Sequence, residues 1–238
     1  MKYDFISKPD LDILLEKYQE DELDELLKTT PVQYLIGNVE FLNCKINVDK
    51  RVLIPRFETE VLVDEAIKII KNKFNKKINI IDLGTGSGCI AIALKKNIDA
   101  FVTALDISES ALDVAKNNAL ENNVDITFIK QSMEDDLKDN YDCIISNPPY
   151  IPEDGYVQKI VKNNEPSLAL YAPNKGIYFY EIILNKHLKH LNKLGLIALE
   201  IGDNQEELLT NLLKQYDLKY EFKKDLQGLT RYLFIFNE

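Results

Sequence analysis

The chain has 238 residues, 45% of them apolar, enough for one α/β domain and a small accessory piece. Its 39 acidic and 29 basic residues give a formal net charge of -10. A protein that grips a bare polyanion draws most of its affinity from a basic face, so this balance speaks against free DNA or RNA as a substrate. No apolar run approaches the ~20 residues of a membrane span, and "MKYDFISKPD" lacks the apolar core of a signal peptide. Cys44, Cys89 and Cys143 stand in apolar runs without metal-site spacing and read as buried free thiols of a reducing compartment. The expected location is the cytoplasm.

In chain order, residues 9–28 read as one amphipathic helix, with Leu11, Leu14, Tyr18, Leu23, Leu26 and Leu27 at helical spacing. Residues 40–54 read as a β-hairpin that turns at "VDK". A helix is expected from about Glu58, with Thr59 or Glu58 as its cap. From Ile78 the texture alternates. "INIIDL", "AFVTALDI", "ITFI" and "DCIIS" read as buried strands, and "GCIAIALKK" and "SESALDVAKNNALENN" as helices between them. A helix near 175–192, the strand "LIALEIG", a helix from about Asn204 and a closing antiparallel hairpin complete the chain. Such alternation implies a mostly parallel sheet with right-handed crossovers, and ligands at the carboxyl ends of its strands.

The first motif is Gly84-Thr85-Gly86-Ser87-Gly88, between the strand "INIIDL" and a helix. Glycine permits the sharp turn and a close approach of ligand to backbone. The helix N-terminus offers free amide hydrogens. Asp106 ends the next strand, at the interval where an acid takes ribose hydroxyls. The plainer reading is a tight turn with no ligand. A nicotinamide dinucleotide would call for a third glycine at position 89, where Cys89 stands. The G-x-G-x-G pattern after Asp82 resembles the first motif of class I methyltransferases that use S-adenosylmethionine.

The second motif is Asn147-Pro148-Pro149-Tyr150, in "SNPPYIP" after the strand "DCIIS". It resembles the loop of amino-group methyltransferases, which alkylate planar nitrogens. An amide nitrogen is a poor nucleophile because its lone pair is delocalised. The Asn147 side-chain oxygen and the Pro148 carbonyl can accept its two N–H groups, fix it in line and favour lone-pair localisation. Proline sets the carbonyl direction, and Tyr150 can stack on the flat amide. No strong general base is needed, since the alkylated amide nitrogen is very acidic. The plainer reading of this loop is a structural proline turn.

"PVQYLIGNVEFLNCKINVDKRVLIPRFETEVLV" (31–63) resembles the region before the catalytic domain in release factor glutamine methyltransferases. The resemblance continues through Gly84 to Gly88, Asp106, "SNPPYIP", "NEPSLAL" (164–170), "LEIGDNQ" (199–205) and "DLQGLTR" (225–231). It implies a class I S-adenosylmethionine-dependent fold that is α/β and Rossmann-like. It also implies methylation of the Gly-Gly-Gln glutamine amide of peptide chain release factors. The implied cofactor residues are Gly84, Thr85, Gly86, Ser87, Gly88, Asp106 and Asn147. Met133 stands where relatives carry an adenine-stacking aromatic, and Phe57 is expected to border the methionine end. The implied catalytic residues are Asn147, Pro148 and Tyr150, and the substrate loop runs from Asn147 through Pro149 to Tyr150.

The implied division is a shortened helical segment over 1–36, a β-hairpin linker over 37–57 and the methyltransferase domain over 58–238. About one helix is expected before Pro31, where relatives carry several. The implied partner is a release factor, with no direct nucleic acid, no membrane and a monomeric state. The alternatives are a ribosomal-protein glutamine or an adenine amino group as the methyl acceptor, or a cofactor-binding module without catalysis. His187 and His190 lie among lysines, so they read as a solvated helix face rather than a metal site.

Overall fold

Where one N-terminal helix is expected there are two. The computed structural model describes residues 3–238. Helix α1 spans Lys8–Lys17 and starts at Ser7, whose hydroxyl accepts from the Asp10 amide. Tyr18 and Gln19 are extended, and α2 follows over Glu20–Leu27. At ~100° per residue, a straight helix would set Leu14 and Leu23 on opposite faces. The break lets both bury completely in one small cluster with Ile6, Leu35 and Ile36. The short helix α3 (Val32–Ile36) ends at left-handed Gly37. Lys17 Nζ donates to the Leu35 and Ile36 carbonyls at its end, at 3.4 and 2.5 Å.

The hairpin also turns elsewhere than expected. Strands β1 (Asn38–Phe41) and β2 (Cys44–Asn47) pair with Phe41 opposite Cys44, so the turn is Leu42-Asn43 and not "VDK". Both turn residues have positive φ, 46° and 61°, the twist that suits a two-residue hairpin. This register puts Phe41, Cys44 and Ile46 on the buried face together. Glu60 accepts the Leu42 amide at 2.9 Å and fixes the turn.

The remaining elements follow the alternation of the sequence. They are α4 (Phe57–Lys73), β3 (Ile78–Leu83), α5 (Cys89–Asn97), β4 (Ala100–Asp106), α6 (Glu109–Glu121), β5 (Thr127–Lys130) and β6 (Tyr141–Ser146). Then come β7 (Ile151–Pro152), α7 (Lys159–Asn164), β8 (Tyr171–Ala172), α8 (Tyr178–Ile182), β9 (Leu191–Glu200), α9 (Glu206–Leu213), β10 (Lys219–Lys224) and β11 (Thr230–Phe236). Seven strands form one sheet in the order β10-β11-β9-β6-β3-β4-β5. The pairs from β9 to β5 are parallel, and β11 and β10 close one side antiparallel.

Period-two alternation divides the core. Ile78 and Ile80 of β3 face a layer built from α4, α5 and α6, while Ile81 and Leu83 face α8 and α9. The chain runs outward from β3 to β4 and β5, then returns to β6 on the other side of β3. The carboxyl ends of β3 and β6 therefore open onto the switch point, the place where doubly wound sheets hold ligands. No helix among the described residues is long and apolar enough to cross a membrane.

Candidate active site

Three glycines shape the end of β3, each with positive φ. A side chain at Gly84 would begin 2.8 Å from the Met133 methyl. At Gly86 the same direction is open space, so the backbone lies bare to a ligand. Gly88 serves packing, because a Cβ there would meet Ala115 of α6 at 3.1 Å. The Asp106 carboxylate, at the end of β4, accepts from the Gly86 and Ser108 amides, each at 2.9 Å. Burial raises the Asp106 pKa against those two hydrogen bonds. Beneath the loop, Asp82 is wholly buried, accepts from Thr85 at 2.6 Å and leaves Oδ1 without a partner among the described residues. Burial pushes its carboxyl up to about 7. The loop walls a cavity of about 250 Å³ whose apolar side includes Leu105, Ile107 and Met133.

The Asn147–Tyr150 loop stands beside it. Ser146, the last residue of β6, donates its hydroxyl to the Leu83 carbonyl at 2.6 Å and so ties the two loops together. The Asn147 side-chain NH₂ donates to Thr59 Oγ1 at 2.9 Å. Thr59 donates in turn to Glu200 Oε2 at 2.6 Å, and Tyr150 Oη donates to Glu200 Oε1 at 3.1 Å. A Cβ at Gly176 would lie 2.1 Å from the Tyr150 carbonyl oxygen, so only glycine lets the backbones close there. Glu200 is 1% exposed, and burial pushes its carboxyl up to about 7. Burial and the neighbouring Glu200 charge hold the Tyr150 phenol firmly in its protonated form.

A second cavity, of about 220 Å³, is lined by Leu53, Arg56, Tyr150, Tyr156 and Leu170, among others. Asn147 lines both cavities. Arg56 is held toward the wall by Glu165, 2.5 Å away, whose other oxygen accepts the Ile54 amide at 3.2 Å.

Of the residues singled out in the sequence, Gly84, Thr85, Gly86, Ser87, Asp106, Met133, Asn147 and Pro149 line the first cavity. Tyr150 lines the second, and Pro148 is buried between its neighbours. Gly88 and Phe57 line neither cavity, and Phe57 is 57% exposed at the start of α4. No side chain caps α4. Thr59 is turned into the sheet toward Glu200, against the capping role expected of it. His187 is fully buried rather than solvated, and its Nε2 lies 2.7 Å from the Met133 carbonyl. The three cysteines are buried and unpaired, as expected. Sequence reasoning missed Glu200 and Gln205. Both lie in the "LEIGDNQ" stretch, and a carboxylate closing the apolar run "LIALE" further marks Glu200.

A family model described as "Methyltransferase small domain" matches residues 59–172. The solved ribosomal protein L11 methylase of Lactobacillus delbrueckii subsp. bulgaricus is similar in fold. Its TM-score is 0.56 at 23% identity, over 77% of this chain and 80% of that one. A methyltransferase of Pyrococcus furiosus gives a TM-score of 0.57 at 20% identity, over 82% and 89%. The fold is thus that of a class I methyltransferase, which implies S-adenosylmethionine as the methyl donor. Among curated relatives, the release factor glutamine methyltransferase of Flavobacterium psychrophilum is 38% identical over 97% of this chain and 84% of its own length. That of Mycoplasma mycoides subsp. mycoides is 40% identical over 92% and 81%. At that identity and coverage, with the glycine loop and the Asn-Pro-Pro-Tyr loop side by side, the chain belongs to the release factor glutamine methyltransferase family.

Proposed function

We propose that this protein transfers the methyl group of S-adenosylmethionine to the side-chain amide nitrogen of the Gly-Gly-Gln glutamine in a peptide chain release factor. The observation that carries this reading is the direction of the Asn147 amide. Its NH₂ gives one hydrogen to Thr59, which leaves Oδ1 as an acceptor on a side chain that lines both cavities. An acceptor at that point suits a donor NH₂, the group a glutamine amide presents.

The first cavity fits the donor molecule. The Asp106 carboxylate stands where ribose hydroxyls would be taken, the bare Gly86 backbone admits the methionine end, and Leu105, Ile107 and Met133 offer an apolar bed for the adenine. Bound there, S-adenosylmethionine supplies an electrophilic methyl group on a sulfonium. The glutamine enters from the second cavity. Asn147 Oδ1 and the Pro148 carbonyl each accept one N–H, which holds the nitrogen in place and favours localisation of its lone pair on nitrogen rather than in the carbonyl. Tyr150 covers one face of the amide. The nitrogen's lone pair forms the new N–C bond, the C–S electron pair stays on sulfur, and one N–H proton leaves to water. The acceptors around the nitrogen are weak bases, and the methylated amide cation gives up its proton without help.

The test is incubation with labelled S-adenosylmethionine and an intact release factor, followed by mass spectrometry of the Gly-Gly-Gln peptide. One methyl group on that glutamine is expected, and none on a variant carrying alanine there. Label that persists on the alanine variant would remove the substrate assignment.

A further inference from the structure

Glu200 lies deep beside the site and lines neither cavity, but it touches Thr59, which lines the first, and Tyr150, which lines the second. It ends β9, the strand beside β6, and is the meeting point of three elements. Thr59 of α4 and Tyr150 of the substrate loop donate to its two carboxylate oxygens, and Tyr180 of α8 donates to its backbone carbonyl at 3.0 Å. Arg231, whose charge acts on Glu200 through space, pairs with Asp203 and Asp225 instead, at 3.1 and 3.4 Å. A buried carboxylate without a cation in contact is costly, and an apolar residue of similar volume would fill the same space more cheaply.

What the carboxylate provides is direction. A threonine hydroxyl has one proton. Thr59 gives that proton to Glu200, so toward Asn147 it can only accept, and it accepts the NH₂ end of the amide. An asparagine side chain turned end for end has nearly the same shape, so packing alone does not choose between the two orientations. The reversed orientation would set an NH₂ against the substrate NH₂, donor against donor.

We propose that Glu200, acting through Thr59, is the positioning residue that fixes the Asn147 amide with its oxygen toward the substrate and anchors the Tyr150 hydroxyl beside it. The inference rests on the reading of Asn147 as the acceptor for the substrate amide. It adds a consequence for acid. Protonated Glu200 becomes a donor, Thr59 is then free to give its proton to Asn147, and the amide is released to reverse. Turnover therefore needs Glu200 ionised. The groups that face it are Glu58 and Thr59 on α4, Cys89 on α5, Tyr150 on the loop, Tyr180 on α8, and Arg231 and Tyr232 on β11. Of these, Glu58 opposes the ionised form, and Thr59, Tyr150 and Arg231 favour it.

The experiment compares wild type, Thr59→Val, Thr59→Ser and Glu200→Gln, with an intact release factor as substrate and calorimetry of S-adenosylhomocysteine binding as a second readout. Thr59→Val is expected to lower kcat by roughly 10–100-fold, the scale of losing a group that orients a reacting one. The release-factor KM stays near wild type, and S-adenosylhomocysteine affinity falls much less than kcat, since Thr59 also lines the first cavity. Thr59→Ser restores most of the loss, because it returns the hydroxyl. Wild-type kcat falls on acidification through neutrality, and Glu200→Gln, which has no proton to gain, has a lower and flat profile. A folded Thr59→Val with wild-type kcat, or a Glu200→Gln with the wild-type acid limb, overturns the positioning role while the substrate assignment stands. A wild-type enzyme that leaves the release factor unmodified sinks both.

Discussion

Gln205 and Tyr150 are joined by a hydrogen bond from the Gln205 Nε2 to the Tyr150 carbonyl, at 3.0 Å. The other end of the Gln205 amide accepts the Gly202 N–H at 2.8 Å. The Asn147–Tyr150 loop is thus gripped twice by the segment 200–205, at the Tyr150 hydroxyl by Glu200 and at the Tyr150 backbone by Gln205. Gln205→Ala leaves a buried carbonyl and a buried N–H unpaired, which costs about 1–3 kcal/mol. The expected result is a lower urea midpoint together with a reduced kcat, while S-adenosylhomocysteine binding is unchanged. A loss confined to stability would show that the loop keeps its shape without Gln205.

Asn147→Ala separates catalysis from folding. The side chain is only partly buried and makes one hydrogen bond. Thermal unfolding should hardly move, while turnover falls by ~100-fold or more, the scale for losing one preorganised polar contact. Single-turnover rates check this, and near-normal turnover would exclude Asn147 from the reaction.

Asp106→Ala should weaken S-adenosylmethionine binding by about 1.5–3 kcal/mol, the range for hydrogen bonds to a charged group. Asp106 also accepts from the Gly86 and Ser108 amides, so part of that loss is loosening of the glycine loop itself. Calorimetry of Asp106→Asn distinguishes the two, because asparagine keeps an acceptor for one amide without the charge.

The buried carboxyls make stability depend on pH in a direction opposite to the usual surface pair. Glu200 titrates at about 7 in the folded chain against 4.5 for an ordinary glutamate, and Asp82 at about 7 against 3.8. Each therefore binds its proton more tightly in the folded state, and stability falls as pH rises through that window. Glu200→Gln and Asp82→Asn should gain on wild type between pH 5 and pH 8, as read from urea midpoints at both pH values. Parallel midpoints would show that both groups are ionised throughout.

Much of this site is written locally, and that part is legible in the sequence. The glycine loop needs only a strand, three glycines and a helix within residues 78–97. Asn147 follows from an apolar strand that stops at two prolines. The supporting chain is not local. Asn147 and Thr59 are 88 residues apart and Thr59 and Glu200 are 141 apart, so no spacing rule connects them. Thr59 sits in a helix start and reads as a cap, a role that its burial against the sheet overrides. The merged N-terminal helix fails for a related reason. Each half of 9–28 has helical spacing and so reads as helix, and only the requirement that Leu14 and Leu23 share a core shows the break between them.

The strand order also sets when the site comes into being during synthesis. The glycine loop has its sheet neighbours once β3, β4 and β6 are paired. Thr59 and Tyr150 gain their common anchor only when β9, ending at Glu200, docks against β6. A nascent chain that has emerged only as far as residue 190 has the glycine loop but lacks Glu200, the partner of Thr59 and Tyr150. Non-local parallel pairing of this kind is slow. The shared anchor of Thr59 and Tyr150 is thus among the later parts of the site that synthesis supplies.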